Sequence, residues 1–111
     1  MASIEQLEAW LRDKPTDRFA LYSLALELKR AGRTDEALAR FAALLEAHPT
    51  SGAGHYQHGL LHRELGDMPS AKASWEAGLT ALAGLQDADA RRSRSEIQGA
   101  LDDLELEMDD D

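Results

Sequence analysis

Apolar residues recur along the chain at helical spacing, and the stripes they form are separated by glycine and proline. Leu21, Leu24, Ala25 and Leu28 stand at i, i+3, i+4 and i+7, which sets them on one face of an amphipathic helix. Ala37, Leu38, Phe41, Leu44 and Leu45 form a second stripe, opened after Thr34 and ended by Pro49. Upstream, Ile4, Leu7, Trp10 and Leu11 make a shorter one, closed by Pro15. Near the other end Ile97, Ala100, Leu101, Leu104 and Met108 make another. Composition supports helices throughout. Ala and Leu abound, aromatics are 5% of the chain, and Ile4 and Ile97 are the only β-branched aliphatic residues, so a sheet has little to be built from.

The punctuation between stripes predicts where helices start and stop. Thr16 and Thr50 follow prolines and are placed to accept hydrogen bonds from the first free amides of a helix. Gly32 suits the left-handed residue just past a helix end, where a side chain is costly. Asp35 and Glu36 fall in the first turn of the next helix, at the favourable end of its dipole. Further on, Asp67 serves as a cap with Pro69 in the first turn, where its missing N–H costs nothing. Asp87 or Asp89 caps the last helix.

The whole plan repeats at an interval of 34 residues. Pro15-Thr16 returns as Pro49-Thr50, Tyr22 pairs with Tyr56, Ala25 with Gly59, and Leu26 with Leu60. Gly32 pairs with Gly66, Ala37 with Ala71, Phe41 with Trp75, and Leu45 with Leu79. Small residues meet small and large meet large, as repeated packing demands. This helix–turn–helix period resembles the tetratricopeptide repeat. The residues that carry the resemblance are Leu21-x2-Leu24-Ala25-x2-Leu28, Gly32, Ala37-x3-Phe41 and Pro49. In the second copy they are His55-x2-His58-Gly59-x2-His62, Gly66 and Ala71-x3-Trp75. The resemblance implies an all-α, antiparallel helix-hairpin solenoid of about six helices in one domain over residues 1–111. A capping helix spans 4–14, the repeats span 18–49 and 52–83, a second capping helix spans 87–108, and an acidic end follows at 109–111. The stretch over 4–14 stands where the second helix of a preceding repeat would stand, as a half-repeat that caps the stack.

Charge changes the picture only at one end. The formal net charge is −9, from 12 basic and 21 acidic residues. The last ten residues hold seven of the acids and no base, so the body is nearly neutral and the acidity belongs to a tail expected to fray beyond about Met108. An acidic surface repels phosphate backbones, and Arg91, Arg92 and Arg94, without interleaved aromatics, read as a solvated helix face, so nucleic acid is not an expected partner. No apolar run reaches the roughly 20 residues needed to cross a bilayer, and the start of the chain lacks a signal-peptide pattern. The expected location is cytoplasmic. Cysteine is absent, which excludes disulfides, thiolate metal sites and cysteine nucleophiles.

Few residues suggest chemistry. There is no glycine-rich phosphate loop, His-Glu-x-x-His or Gly-x-Ser-x-Gly, and no nucleophile has a base placed by a motif, so no enzyme activity and no cofactor are expected. His55, His58 and His62 occupy i, i+3 and i+7, on a face that should hold large apolar residues. They are read as part-buried neutral histidines, as candidates for a zinc or nickel site with ligands from elsewhere such as His48, or as a pH response. Residues seven apart lie about 10 Å apart along a helix axis, too far for one metal to join easily.

In the resembled family the first helices of successive repeats line a concave face that binds a peptide or a partner helix. The matching positions here are Phe19, Tyr22, Leu26, Lys29 and Arg30, then Ala53, Tyr56, Leu60, Arg63 and Glu64. Side-by-side tyrosines with a basic rim of Lys29, Arg30 and Arg63 suit a protein ligand; the alternative is that these rings pack inward. Members of the family that bind heat-shock chaperones carry Lys and Asn where Tyr22, Leu26 and Leu60 stand, so that adaptor role is not expected. The expected function is a protein-interaction module, with a self-associating scaffold as the alternative, and the chain is expected as a monomer or weak homodimer.

Overall fold

The computed structural model describes residues 2–109. Among the described residues there are six helices and no strand: α1 (Ile4–Asp13), α2 (Arg18–Arg30), α3 (Thr34–Ala47), α4 (Gly52–Glu64), α5 (Met68–Leu82) and α6 (Ala88–Asp109). The all-α expectation holds. None of these helices is long and apolar enough to cross a membrane. The acidic end is expected to fray beyond about Met108; Asp109 is still helical, and Asp110 and Asp111 lie outside the described residues.

The chain divides into two compact units, residues 1–49 and 50–111. In the first, α2 and α3 form a hairpin and α1 packs on α2. Leu21, Leu24, Ala25 and Leu28 of α2 are buried, as are Ala37, Phe41 and Leu44 of α3 and Leu7 and Leu11 of α1. Trp10, expected on the inner stripe of α1, is instead 42% exposed. Its ring lies against Phe19, with centroids 5.6 Å apart, so its apolar contact is made at the surface. His48, just past α3, donates from Nε2 to the Thr16 carbonyl at 2.6 Å, tying the end of the hairpin back to its start.

In the second unit α4 and α5 form the hairpin, and α6 packs on both. Its core is Ala71, Trp75 and Leu82 of α5 with Ala90, Ile97, Leu101 and Leu104 of α6. Met108, expected on the inner stripe, is 41% exposed. Glycines set the closeness of this packing. A Cβ at Gly59 would stand 2.1 Å from Trp75 Nε1, and one at Gly52 would stand 2.2 Å from Ser93 Oγ. The vacant volume at Gly59 is thus the space the indole fills, and its Nε1–H donates to the Tyr56 carbonyl at 3.2 Å.

Both hairpin turns close as the glycines predict. Gly32 has φ 76° and Gly66 has φ 81°. Each donates to the carbonyl three residues back, and the following residue donates five back, Arg33 to Leu28 and Asp67 to His62, both at 2.9 Å. The helix starts require a correction. Asp17, not Thr16, caps α2 by accepting from the Ala20 amide at 2.8 Å, and Ser51, not Thr50, caps α4 by accepting from Gly54 at 3.2 Å. Each cap falls one residue later because the turn after the proline takes up one more residue before the chain enters the helix. Helix α3 starts without a side-chain cap; Arg33 reaches Glu36 with two bonds of 2.6 and 2.7 Å. Asp67 caps α5 with Pro69 in its first turn, and Asp87, rather than Asp89, accepts from the Ala90 amide at the start of α6.

Candidate functional site

Helix α2 is used on two sides. At 3.6 residues per turn its buried stripe occupies one side, and Phe19, Ser23, Leu26, Glu27 and Arg30 fall on the opposite side. These five, with Ala2 and Leu7, line a pocket of about 250 Å³ in the first unit. Phe19 is 60% exposed beside it, a large ring left in water. Arg30 pairs with Glu27 of its own helix at 2.5 Å, so a cation and a carboxylate stand together among the apolar groups.

Three of the residues expected to receive a partner, Phe19, Leu26 and Arg30, are therefore brought together. Tyr22 and Lys29 lie to one side on α2, both half-buried. The Tyr22 ring is edge-on to Phe41, with centroids 6.5 Å apart, so much of its surface is spent on the hairpin. In the second unit Tyr56 and Leu60 are half-buried against the Trp75 core. Arg63 pairs with Glu107 of α6, so the acidic end of the chain engages this cation within its own unit. Ala53 and Glu64 are exposed.

The histidine face of α4 is largely an inner one. His55 is buried, and a Cβ at Gly78 would stand 2.8 Å from the His55 Cβ, so glycine admits the imidazole against α5. His58 is hydrogen-bonded through Nδ1 to Ser74 Oγ at 2.8 Å, and its ring is edge-on to His62 at 4.7 Å. Burial is the main cause that lowers the His58 pKa to about 4, with His62 and His55 adding like-charge repulsion. His55 packs against α5 while His58 and His62 pack on each other, and among the described residues no group of three or more His, Asp or Glu side chains is placed to hold a metal ion.

Four of the lining residues, Ala2, Leu7, Ser23 and Glu27, were not among those expected from the sequence, and the signal that bears on Leu7 is its place in the 34-residue pattern. Arg94, read as part of a solvated basic face, instead donates from Nη1 to the Leu82 and Leu85 carbonyls, each at 2.6 Å, and so caps the end of α5. Arg91 and Arg92 are exposed as expected. A cation at the carbonyl end of a helix satisfies acceptors that have no partner within it.

Comparison with known proteins agrees with this construction. Residues 1–63 match the family described as tetratricopeptide repeat. No curated protein matches the chain significantly by sequence. Among solved structures, the type III secretion translocator chaperone SycD of Yersinia enterocolitica is similar, with a TM-score of 0.83 at 10% identity over 96% of this chain and 72% of that one. A tetratricopeptide repeat protein from Parabacteroides merdae ATCC 43184 is similar with a TM-score of 0.67 at 21% identity, over 93% of this chain and 41% of that one. With the family match covering more than half of its length, and the small and aromatic positions of both hairpins packed as the repeat requires, the chain belongs to the tetratricopeptide repeat family.

Proposed function

We infer that this chain is a non-enzymatic, cytoplasmic protein-interaction module. It receives a peptide or helix of a partner protein at its first helices, through Phe19, Tyr22, Leu26, Lys29 and Arg30 on α2 and Tyr56, Leu60 and Arg63 on α4. The observation that carries this reading is the apolar pocket beside the exposed Phe19, rimmed by Arg30. Binding sites combine a buried apolar anchor with a few polar groups that fix orientation, and this surface offers both. The fold is also that of a type III secretion translocator chaperone.

A photoreactive side chain at position 19, compared with one at the exposed Ala73 of α5, tests the reading in the native host. A heterologous adduct formed from position 19 and absent from position 73 is the expected result. An adduct of twice the chain's own mass would mean self-association instead. Equal adducts at both positions would remove the assignment.

A further inference from the structure

The half-repeat at the amino end contributes a second helix, α1, and among the described residues no first helix accompanies it. Leu7 stands 34 positions before Phe41, which in turn stands 34 before Trp75. In their own hairpins both rings are turned onto the first helix: Phe41 lies edge-on to Tyr22 of α2, and Trp75 fills the space at Gly59 of α4. Leu7, at the corresponding place, is fully buried and forms the floor beneath the pocket. The pocket therefore continues the repeat's own packing interface, at the place where a first helix is accommodated in each complete hairpin.

We propose that this pocket seats an amphipathic α-helix of a partner protein. Apolar side chains at i, i+3 or i+4, and i+7 enter against Phe19 and Leu26, over the floor that Leu7 forms, and a carboxylate nearby on the same helix meets Arg30. The proposal rests on the protein-interaction reading and names its ligand. A helix fits better than an extended strand because the walls are themselves helices. Their backbone amides and carbonyls are spent internally, so an extended peptide finds no ladder to join, whereas a helix satisfies its own. The chain contains its own instance of such seating, since α6 buries Ile97, Leu101 and Leu104 at i, i+4 and i+7 in the second unit. Charge selects the flank. The Arg30 side chain is 59% exposed and its partner Glu27 lies on the same helix, so the guanidinium retains room for a second carboxylate.

The test uses the full chain and a labelled peptide of about 18 residues, long enough to populate a helix, with Leu at i, i+3, i+4 and i+7 and Glu on its flanks. Controls are the same composition with the leucines dispersed, a proline-interrupted version, and a version with Lys in place of Glu. The expected result is anisotropy binding with a gain of helicity for the first peptide only. Phe19→Ala should weaken it by about tenfold or more, with the thermal melt lowered by no more than about 6 °C for the lost contact with Trp10. Arg30→Glu should weaken the acidic peptide and strengthen the lysine one, a reversal that a merely structural role for Arg30 does not produce. Binding of the proline-interrupted peptide in preference, or binding indifferent to Phe19→Ala, would overturn the helix seat while leaving an interaction module standing. Failure of every peptide to bind below about 1 mM also overturns it; the photoadduct at position 19 then decides separately whether the broader reading survives.

Discussion

The two units follow one plan with different materials. Each is a helix hairpin with a third helix added, and the hairpins match residue by residue at an interval of 34. In the first, the inner face of α2 is leucine, Phe41 is the large ring, and Ala25 is the small residue on the facing helix. In the second, three histidines replace the leucines, the ring grows to Trp75, and the small residue shrinks to Gly59. Ring and small residue change together, as a close-packed interior requires. The third helices differ more. Helix α6 packs on both members of its hairpin and holds the end of α5 through Arg94, whereas α1 packs on α2 beside a pocket and an exposed Phe19. The unit with the poorer inner face carries the fuller cover; the unit with the richer inner face has apolar surface to spare for a partner.

The largest expected effect tests that difference in cover. Ile97→Ala should cost about 4 kcal/mol in urea unfolding, because it empties a sealed core. Leu7→Ala should cost about 2 kcal/mol: Leu7 is equally buried, but the space it leaves joins the pocket above it and does not become a closed cavity. Similar losses at the two sites would mean that the units are equally closed.

Next comes the pairing of ring and small residue. Gly59→Ala sets a methyl carbon onto Trp75 and should cost about 3 kcal/mol. Adding Trp75→Phe copies the combination of the first hairpin and should restore at least about 1 kcal/mol of that loss, measured as a double-mutant coupling. Additive losses would show that the two positions do not pack as a pair.

Acid should separate the units through the histidine face. The folded pKa of His58 is lowered to about 4 from an ordinary 6.5, so its contribution to stability is complete above 6.5 and is lost as the pH falls from there toward 4. The two tryptophans give each unit its own reporter, Trp10 in the first and the fully buried Trp75 in the second. With Trp10→Phe, the melting temperature seen by Trp75 fluorescence should drop across that range, and His58→Asn should flatten much of the drop. A Trp75 melt indifferent to pH between 7 and 4 would contradict the assignment.

The smallest effect concerns the helix start. Asp17→Ala should cost about 1 kcal/mol, and Thr16→Ala should stay within about 0.5 kcal/mol. The reverse order would restore the cap read from the sequence.

What the sequence made legible follows from which physics repeats. The helices, their order and the turns at Gly32 and Gly66 were readable because a 34-residue interval constrains many positions at once. The cap residues were not, since Thr16 and Asp17, like Thr50 and Ser51, are neighbouring residues of comparable capping ability, and only the path of the turn chooses between them. Of the expected binding residues, Phe19, Leu26 and Arg30 were recoverable from repeat position alone and meet at one pocket. That Tyr22 leans on Phe41, and that Arg63 is engaged by Glu107, depended on side-chain directions and on a partner 44 residues away, which no local pattern encodes. Trp10 and Met108 were misread as inner residues because spacing reports a helix face and not what covers it.

Hydrogen exchange on the full chain, free and saturated with the partner recovered through the position-19 adduct, addresses the central claim most directly. Slowed exchange in α1 and α2, with α5 and α6 unchanged, is the result this account requires. Protection confined to α5 and α6, with α1 and α2 exchanging as before, would contradict it.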